Sequence, residues 1–214
     1  MKFSIEELRP IRNGMTISRD SRLGNSTKVT YFSMGKDTSI SQESYDRMTM
    51  YIVASGWGEF IIGEEPEIIK LQPDELLIVP AGTLCGMQTS NGIVYTEIIC
   101  TGKDINMNAN VKTNEVFALK NLISYEEGSI ANMDVVSTPD MKYVLMAFDE
   151  GTGLTPHRAP GNAIVFALEG KAVIGYEGKD YELSEGECFR FEKNGLHSVT
   201  ANGKFKMALL LVLE

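Results

Sequence analysis

Gly153-Leu-Thr-Pro-His157-Arg-Ala159-Pro-Gly-Asn162-Ala163-Ile-Val165-Phe-Ala-Leu-Glu-Gly170 is the stretch on which the reading of the fold turns. Its second half, Ala163–Leu168, is a short apolar run rich in β-branched and aromatic side chains, bounded by Asn162 and Gly170, as expected of a buried strand. A hairpin follows, and then Leu183-Ser-Glu-Gly-Glu-Cys188-Phe189-Arg-Phe191-Glu-Lys-Asn-Gly-Leu-His197. His157 and His197 are the only histidines of the chain, so any chemistry that needs imidazole has to occur at these two positions.

Moving outward, most of the chain reads as short strands. Tyr143–Phe148, Ala172–Tyr176, Glu187–Phe191 and Phe205–Leu213 continue the pattern in the second half. Thr27–Met34, Thr49–Val53, Glu59–Ile62, Leu76–Val79 and Ile93–Cys100 form it in the first. Helical periodicity is weak. Only Ser4–Leu8, opened by a Ser-x-x-Glu capping pattern, and Asn114–Ile123 are expected as short helices or turns. Many short strands with Gly-rich turns predict an all-β sandwich or barrel.

The two halves repeat each other. Gly14 aligns with Gly128, Asp20 with Asp134, Lys28 with Lys142 and Gly56 with Gly170, all at one offset. The offset shortens slightly after Gly56, consistent with a longer first hairpin around Glu64-Glu65-Pro66; Leu71 then meets Leu183 and Asp74-Glu75 meets Gly186-Glu187. Strands fall on strands throughout. Two β domains are expected, residues 1–106 and 107–214, joined within the polar stretch 101–112.

With these residues in view, the second half resembles the cupin superfamily, whose motifs read G-x5-H-x-H-x3–4-E-x6-G and G-x5-P-x-G-x2-H. The resemblance covers about Leu119–Glu214 and extends through the repeat over residues 8–100. It implies two tandem antiparallel jelly-roll barrels. His157 stands at the first histidine position and His197 at the last. Ala159 replaces the second histidine, Ala163 the glutamate, Glu192 the proline and Asn194 the glycine. Two of the four implied metal ligands are therefore missing, so a divalent transition metal (Zn, Ni, Mn or Fe) would depend on His157 and His197 alone. In the first repeat Glu43, Tyr45, Thr49 and Cys85 occupy the four ligand positions, while Pro80-Ala-Gly82 keeps the fold marker. Glu43, Tyr45 and Cys85 are a candidate second polar site, with an ordinary hydrogen-bonded core as the plainer alternative.

Strand alternation puts His157 with Ala159, and Ala163 with Val165 and Ala167, on common faces. If the resemblance is right these faces line the barrel, where small side chains leave space, Phe189 and Phe191 form the opposing wall and Met146 and Met207 fill gaps. The expected ligand-binding set is His157, Ala159, Ala163, Val165, Phe189, Phe191 and His197, unless neighbouring large residues occupy that volume.

Composition removes other classes. A net charge of −9 disfavours phosphate backbones and anionic lipid. The longest apolar run, Met207–Leu213, is too short to span a bilayer, and the start MKFSIEEL has no secretory h-region. Three cysteines without C-x-x-C spacing fit a reducing cytoplasm. No nucleic-acid or membrane partner is expected. Three functions remain open: a small-molecule-binding protein with its pocket around His157 and His197; an enzyme of the kinds the cupin resemblance implies, a metal-dependent isomerase, lyase or oxygenase acting on a small polar metabolite, with these histidines catalytic; and a structural or regulatory homodimer. The cupin resemblance implies a homodimer in each case.

Overall fold

The β-branched and aromatic runs pair into antiparallel sheets, described in a computed structural model for all residues except 25, 26, 101, 103 and 214. The chain is all-β and builds two antiparallel jelly-roll barrels. Packing groups it into two compact units, one of Met1–Ser4, Gly102–Asn108 and Leu119–Glu214, the other of Ile5–Thr101 and Ala109–Ala118. Relative to a cut at 106/107, short segments thus pack with the other half. Lys2–Phe3 pairs with Cys188–Phe191, and Val116–Ala118 pairs with Glu75–Val79.

In the N-terminal unit a six-stranded sheet runs Val116–Ala118, Glu75–Val79, Thr49–Gly56, Ile93–Ile99, Lys28–Met34 and Thr16–Asp20. A four-stranded sheet faces the same core with Thr38–Ser44, Leu84–Thr89, Gly58–Ile62 and Glu67–Leu71. The C-terminal unit has one nine-stranded sheet, because Asn162–Tyr176 and Leu196–Val212 each run through both layers. The expected strands Ala163–Leu168 and Ala172–Tyr176 are therefore one strand, bent at Gly170 between two register shifts. Asn114–Ile123 is not a helix throughout, since it contains the strand Val116–Ala118 and a 3₁₀ turn, Leu119–Asn121. Among the described residues the one α-helix is Ile5–Leu8, and no helix is long and apolar enough to cross a membrane.

The repeat is visible in the pairing. Gly56 and Gly170 hold left-handed φ values of 72° and 77° at matching bends. At both, the partner strand passes so closely that a Cβ would fall on a carbonyl oxygen, of Gly92 and of Lys204 respectively. Only glycine satisfies both demands. The cores differ in filling. The C-terminal core is built around Phe148, Phe189, Phe191 and Phe205, and the N-terminal core around Tyr51, Phe60 and Tyr95.

Gly170→Ala is accordingly expected to lower unfolding free energy in urea by about 3 kcal/mol or more, from strain plus overlap with Lys204. Gly178→Ala, with a similar φ of 79° but open space around it, should cost only about 1–2 kcal/mol. Equal losses would show that the close strand passage at Gly170 carries no energetic weight.

Candidate functional site

The strand Gly153–Arg158 lies along Leu196–Val212, and a register irregularity after Leu154 brings His157 opposite His197. Their rings are 4.3 Å apart between centroids and inclined at 53°. Each ring is held by a local backbone carbonyl. His157 Nδ1 lies 2.8 Å from Thr155 O, and His197 Nδ1 lies 2.9 Å from Gly195 O. A carbonyl can only accept, so Nδ1 carries the proton in each neutral ring and Nε2 keeps its lone pair. The pair thus offers two acceptor nitrogens with fixed tautomers.

The two imidazoles differ in environment. His157 is exposed at the rim, whereas His197 is 7% exposed and stacked on Phe191 at 4.2 Å. Burial holds the His197 pKa below the usual imidazole value; the Gly195 carbonyl opposes this and the neighbouring His157 adds to it. His197 is therefore a neutral imidazole at pH 7. A cleft of about 190 Å³ opens beside it, lined by Pro156, Tyr176, Glu177, Lys179 and Asp180 among others.

Below the pair the barrel is apolar. Ala163, Val165 and Ala167 face one core with Phe189, Phe191 and Met207. Phe189 and Phe191 do not form an opposing wall, because their strand is the direct neighbour: Ala163 pairs with Phe191 and Val165 with Phe189. The large rings fill the space beside the small residues, and Tyr176 meets both phenylalanines edge-on at 5.6 Å. Ala159 lies past the strand end, outside this cluster, where its carbonyl accepts the Asn194 N–H at 3.0 Å. Of the expected set, the structure brings His157, His197 and Phe191 into direct contact and places Ala163, Val165 and Phe189 beneath them.

A metal held by protein alone needs three or four donors. Among the described residues no group of three or more His, Cys, Asp or Glu side chains is so arranged. The Nδ1 anchoring suits ligating imidazoles, but two nitrogens alone do not fit a resident metal.

The N-terminal barrel repeats this geometry with other residues. Glu43 stands opposite Cys85, after a matching irregularity that follows Ile40. Glu43, Tyr45 and Cys85 come together around a cavity of about 50 Å³, with Tyr51, Tyr95 and Glu97 completing it. Glu97 is 5% exposed, and its Oε2 accepts a long hydrogen bond, 3.5 Å, from the Tyr45 hydroxyl. Burial pushes the Glu97 pKa up to about 7; Lys28 and the Tyr45 hydrogen bond oppose this, and Glu43 adds to it. Burial likewise pushes the Cys85 thiol up to about 11 and the Tyr45 phenol to about 12, so Cys85 stays a protonated thiol and is no nucleophile.

Glu97 is the residue that sequence reasoning missed. Its signal was present: Ile93-Val-Tyr-Thr-Glu97-Ile-Ile carries one carboxylate inside an otherwise apolar and β-branched strand.

Comparison with known proteins agrees with this architecture. Residues 144–213 match the family model described as Cupin domain. A cupin 2 conserved barrel domain protein from Leptotrichia buccalis superposes with a TM-score of 0.87 at 24% identity, covering 99% of this chain and 96% of its own. Salicylate 1,2-dioxygenase from Pseudoaminobacter salicylatoxidans, solved as an adduct with gentisate, gives a TM-score of 0.67 at 12% identity, covering 96% of this chain and 76% of that one. At these identities the likeness is one of fold. No curated protein matches the sequence significantly.

The Glu97 carboxyl makes stability depend on pH with a defined sign. Its folded pKa is raised, so its contribution is complete below about 4.5 and is lost as pH rises through about 7. Relative to wild type, Glu97→Gln should gain about 3 kcal/mol in unfolding free energy between pH 4.5 and pH 8, measured by urea titration at each pH. A difference that does not change with pH would show that Glu97 ionises as an exposed carboxylate does.

Proposed function

From the match of residues 144–213 to the Cupin domain model, and from the barrel fold, we propose that this chain is a small-molecule-binding protein whose ligand site lies at His157 and His197 in the C-terminal barrel. The observation that carries the reading is the pair of anchored imidazoles. Both Nδ1 atoms are engaged by backbone carbonyls, neither Nε2 has a partner among the described residues, and the rings sit 4.3 Å apart beside an open cleft. Fixed acceptors on a rigid strand pair suit a ligand that presents hydroxyl, amide or acid protons. Phe191 under His197 supplies an apolar floor. Glu177, Lys179 and Asp180 give the cleft a polar rim, so the ligand class is a small polar metabolite.

Catalysis is the second reading, and one observation favours it. Burial disfavours the His197 cation, so its Nε2 keeps a lone pair at the cleft and can act as a general base. The Thr16–Asp20 strand, exposed along most of its length at the end of the six-stranded sheet, is the edge at which a second copy would add by sheet extension.

A thermal-shift screen of polar metabolites against wild type, His157→Ala and His197→Gln tests the site. Ligand at about a hundred times its Kd should stabilise wild type by about 2.7 kcal/mol, and both variants should lose that shift. Equal shifts in the variants would move the site elsewhere. Stoichiometric metal by plasma mass spectrometry, lost in the double variant, would replace simple binding with a metal enzyme whose shell is completed by non-protein ligands.

A further inference from the structure

The cavity of the N-terminal barrel is independent of the imidazole pair and has a different chemistry. Its lining combines two carboxyl groups, Glu43 and Glu97, with the aromatic rings of Phe32, Tyr45, Tyr51 and Tyr95. Among the described residues, no lysine, arginine or histidine lines it. Tyr95 is 1% exposed, reaches the cavity, and makes ring contacts, while its hydroxyl makes no hydrogen bond among the described residues. A buried polar group normally finds one. The cavity therefore holds more hydrogen-bonding capacity than the chain itself satisfies.

We infer that this cavity is a second ligand site, which takes a small protonated amine, with Glu97 as its counter-ion and the Tyr51, Tyr95 and Phe32 rings as its walls. Charge decides the class. An anion would face Glu43 and Glu97 with no lining cation to offset them. An ammonium group meets carboxylate oxygens, phenol oxygens and the negative faces of aromatic rings, all of which attract it. The alternative of a metal lacks a donor set, since no three His, Cys, Asp or Glu side chains are so arranged among the described residues. The volume of about 50 Å³ limits the group held inside to a few heavy atoms.

Binding and ionisation are linked. Glu97 faces Tyr51 on Thr49–Gly56, Tyr45 beyond Thr38–Ser44, Glu43 and Cys85 across the cavity, and feels Lys28 from Lys28–Met34. An ammonium ion binds the ionised carboxylate, so occupancy expels a proton from Glu97. With half-ionisation near pH 7, affinity should rise about tenfold between pH 6 and pH 8.

The test uses the full chain with ¹³C-labelled tyrosine, titrated with ethylammonium chloride at constant ionic strength and followed by ring chemical shifts. Saturable shifts in Tyr45, Tyr51 and Tyr95 are expected, about tenfold tighter at pH 8 than at pH 6. Glu97→Gln should abolish them, and Tyr95→Phe, which removes only a hydroxyl, should weaken them several-fold. His157→Ala should leave them unchanged, which separates this site from the one in the other barrel. Equal binding of ethanol, preferential binding of acetate, or unaltered ethylammonium binding in Glu97→Gln would each overturn the assignment, as would the absence of any saturable shift at pH 8.

Discussion

Both candidate sites depend on one backbone constraint, the register in which two strands at the barrel mouth face each other. Directly opposed residues of an antiparallel pair hold their Cβ atoms about 4.5–5.5 Å apart, so whatever occupies the pair shares one environment. Here the pair is His157 with His197 in one barrel and Glu43 with Cys85 in the other. Each follows a break in register at the same place, after Leu154 and after Ile40. An irregularity of that kind re-aims a side chain without disturbing the sheet around it. The rest of each barrel, including the glycine bends at Gly56 and Gly170, keeps that register in place.

Given the same scaffold, burial acts on the two sites with opposite sign. Taking His197 out of water disfavours its cation and lowers its pKa; taking Glu97 out of water disfavours its anion and raises its pKa. Both groups move toward neutrality near physiological pH, where they can exchange a proton or a hydrogen bond at small free-energy cost. The linkage signs differ accordingly. His197 contributes stability above its unfolded value near 6.5 that is lost on acidification, and Glu97 contributes stability in acid that is lost as pH rises through about 7.

The legibility of these features in the sequence followed the apolar signal. Buried strands such as Leu76–Val79 or Tyr143–Phe148 announced themselves by β-branched and aromatic runs, and the glycine, aspartate and lysine matches carried the duplication. The strands that present the site were the hard ones. Thr38–Ser44 and Gly153–Arg158 are polar and mostly exposed, so neither shows a hydrophobic period, and both form because the neighbouring strand supplies their hydrogen bonds. Volume was equally hidden. Alanine at 163 suggested space, yet Phe191 stands directly beside it, and a cross-strand neighbour cannot be identified before the register is known. Glu97 went unread because a single charge in an apolar run is also what an exposed edge strand would show.

The exchange of ring positions between the repeats explains why one site lies at a rim and the other inside. Pairing sets Val165 against Phe189 in the C-terminal barrel, while the matching pair in the N-terminal barrel is Tyr51 against Leu77. The ring has moved to the adjacent strand, and with it a hydroxyl has entered the interior. The register partner on the other neighbouring strand differs as well, since Leu209 opposes Val165 where Glu97 opposes Tyr51. An interior of leucine, valine and phenylalanine offers a ligand no polar contact, so the C-terminal barrel can engage polar molecules only at its histidine rim. An interior of tyrosine and glutamate must be satisfied by something, and the few ångströms left between those groups restrict what can enter. Three substitutions on three neighbouring strands separate the two behaviours.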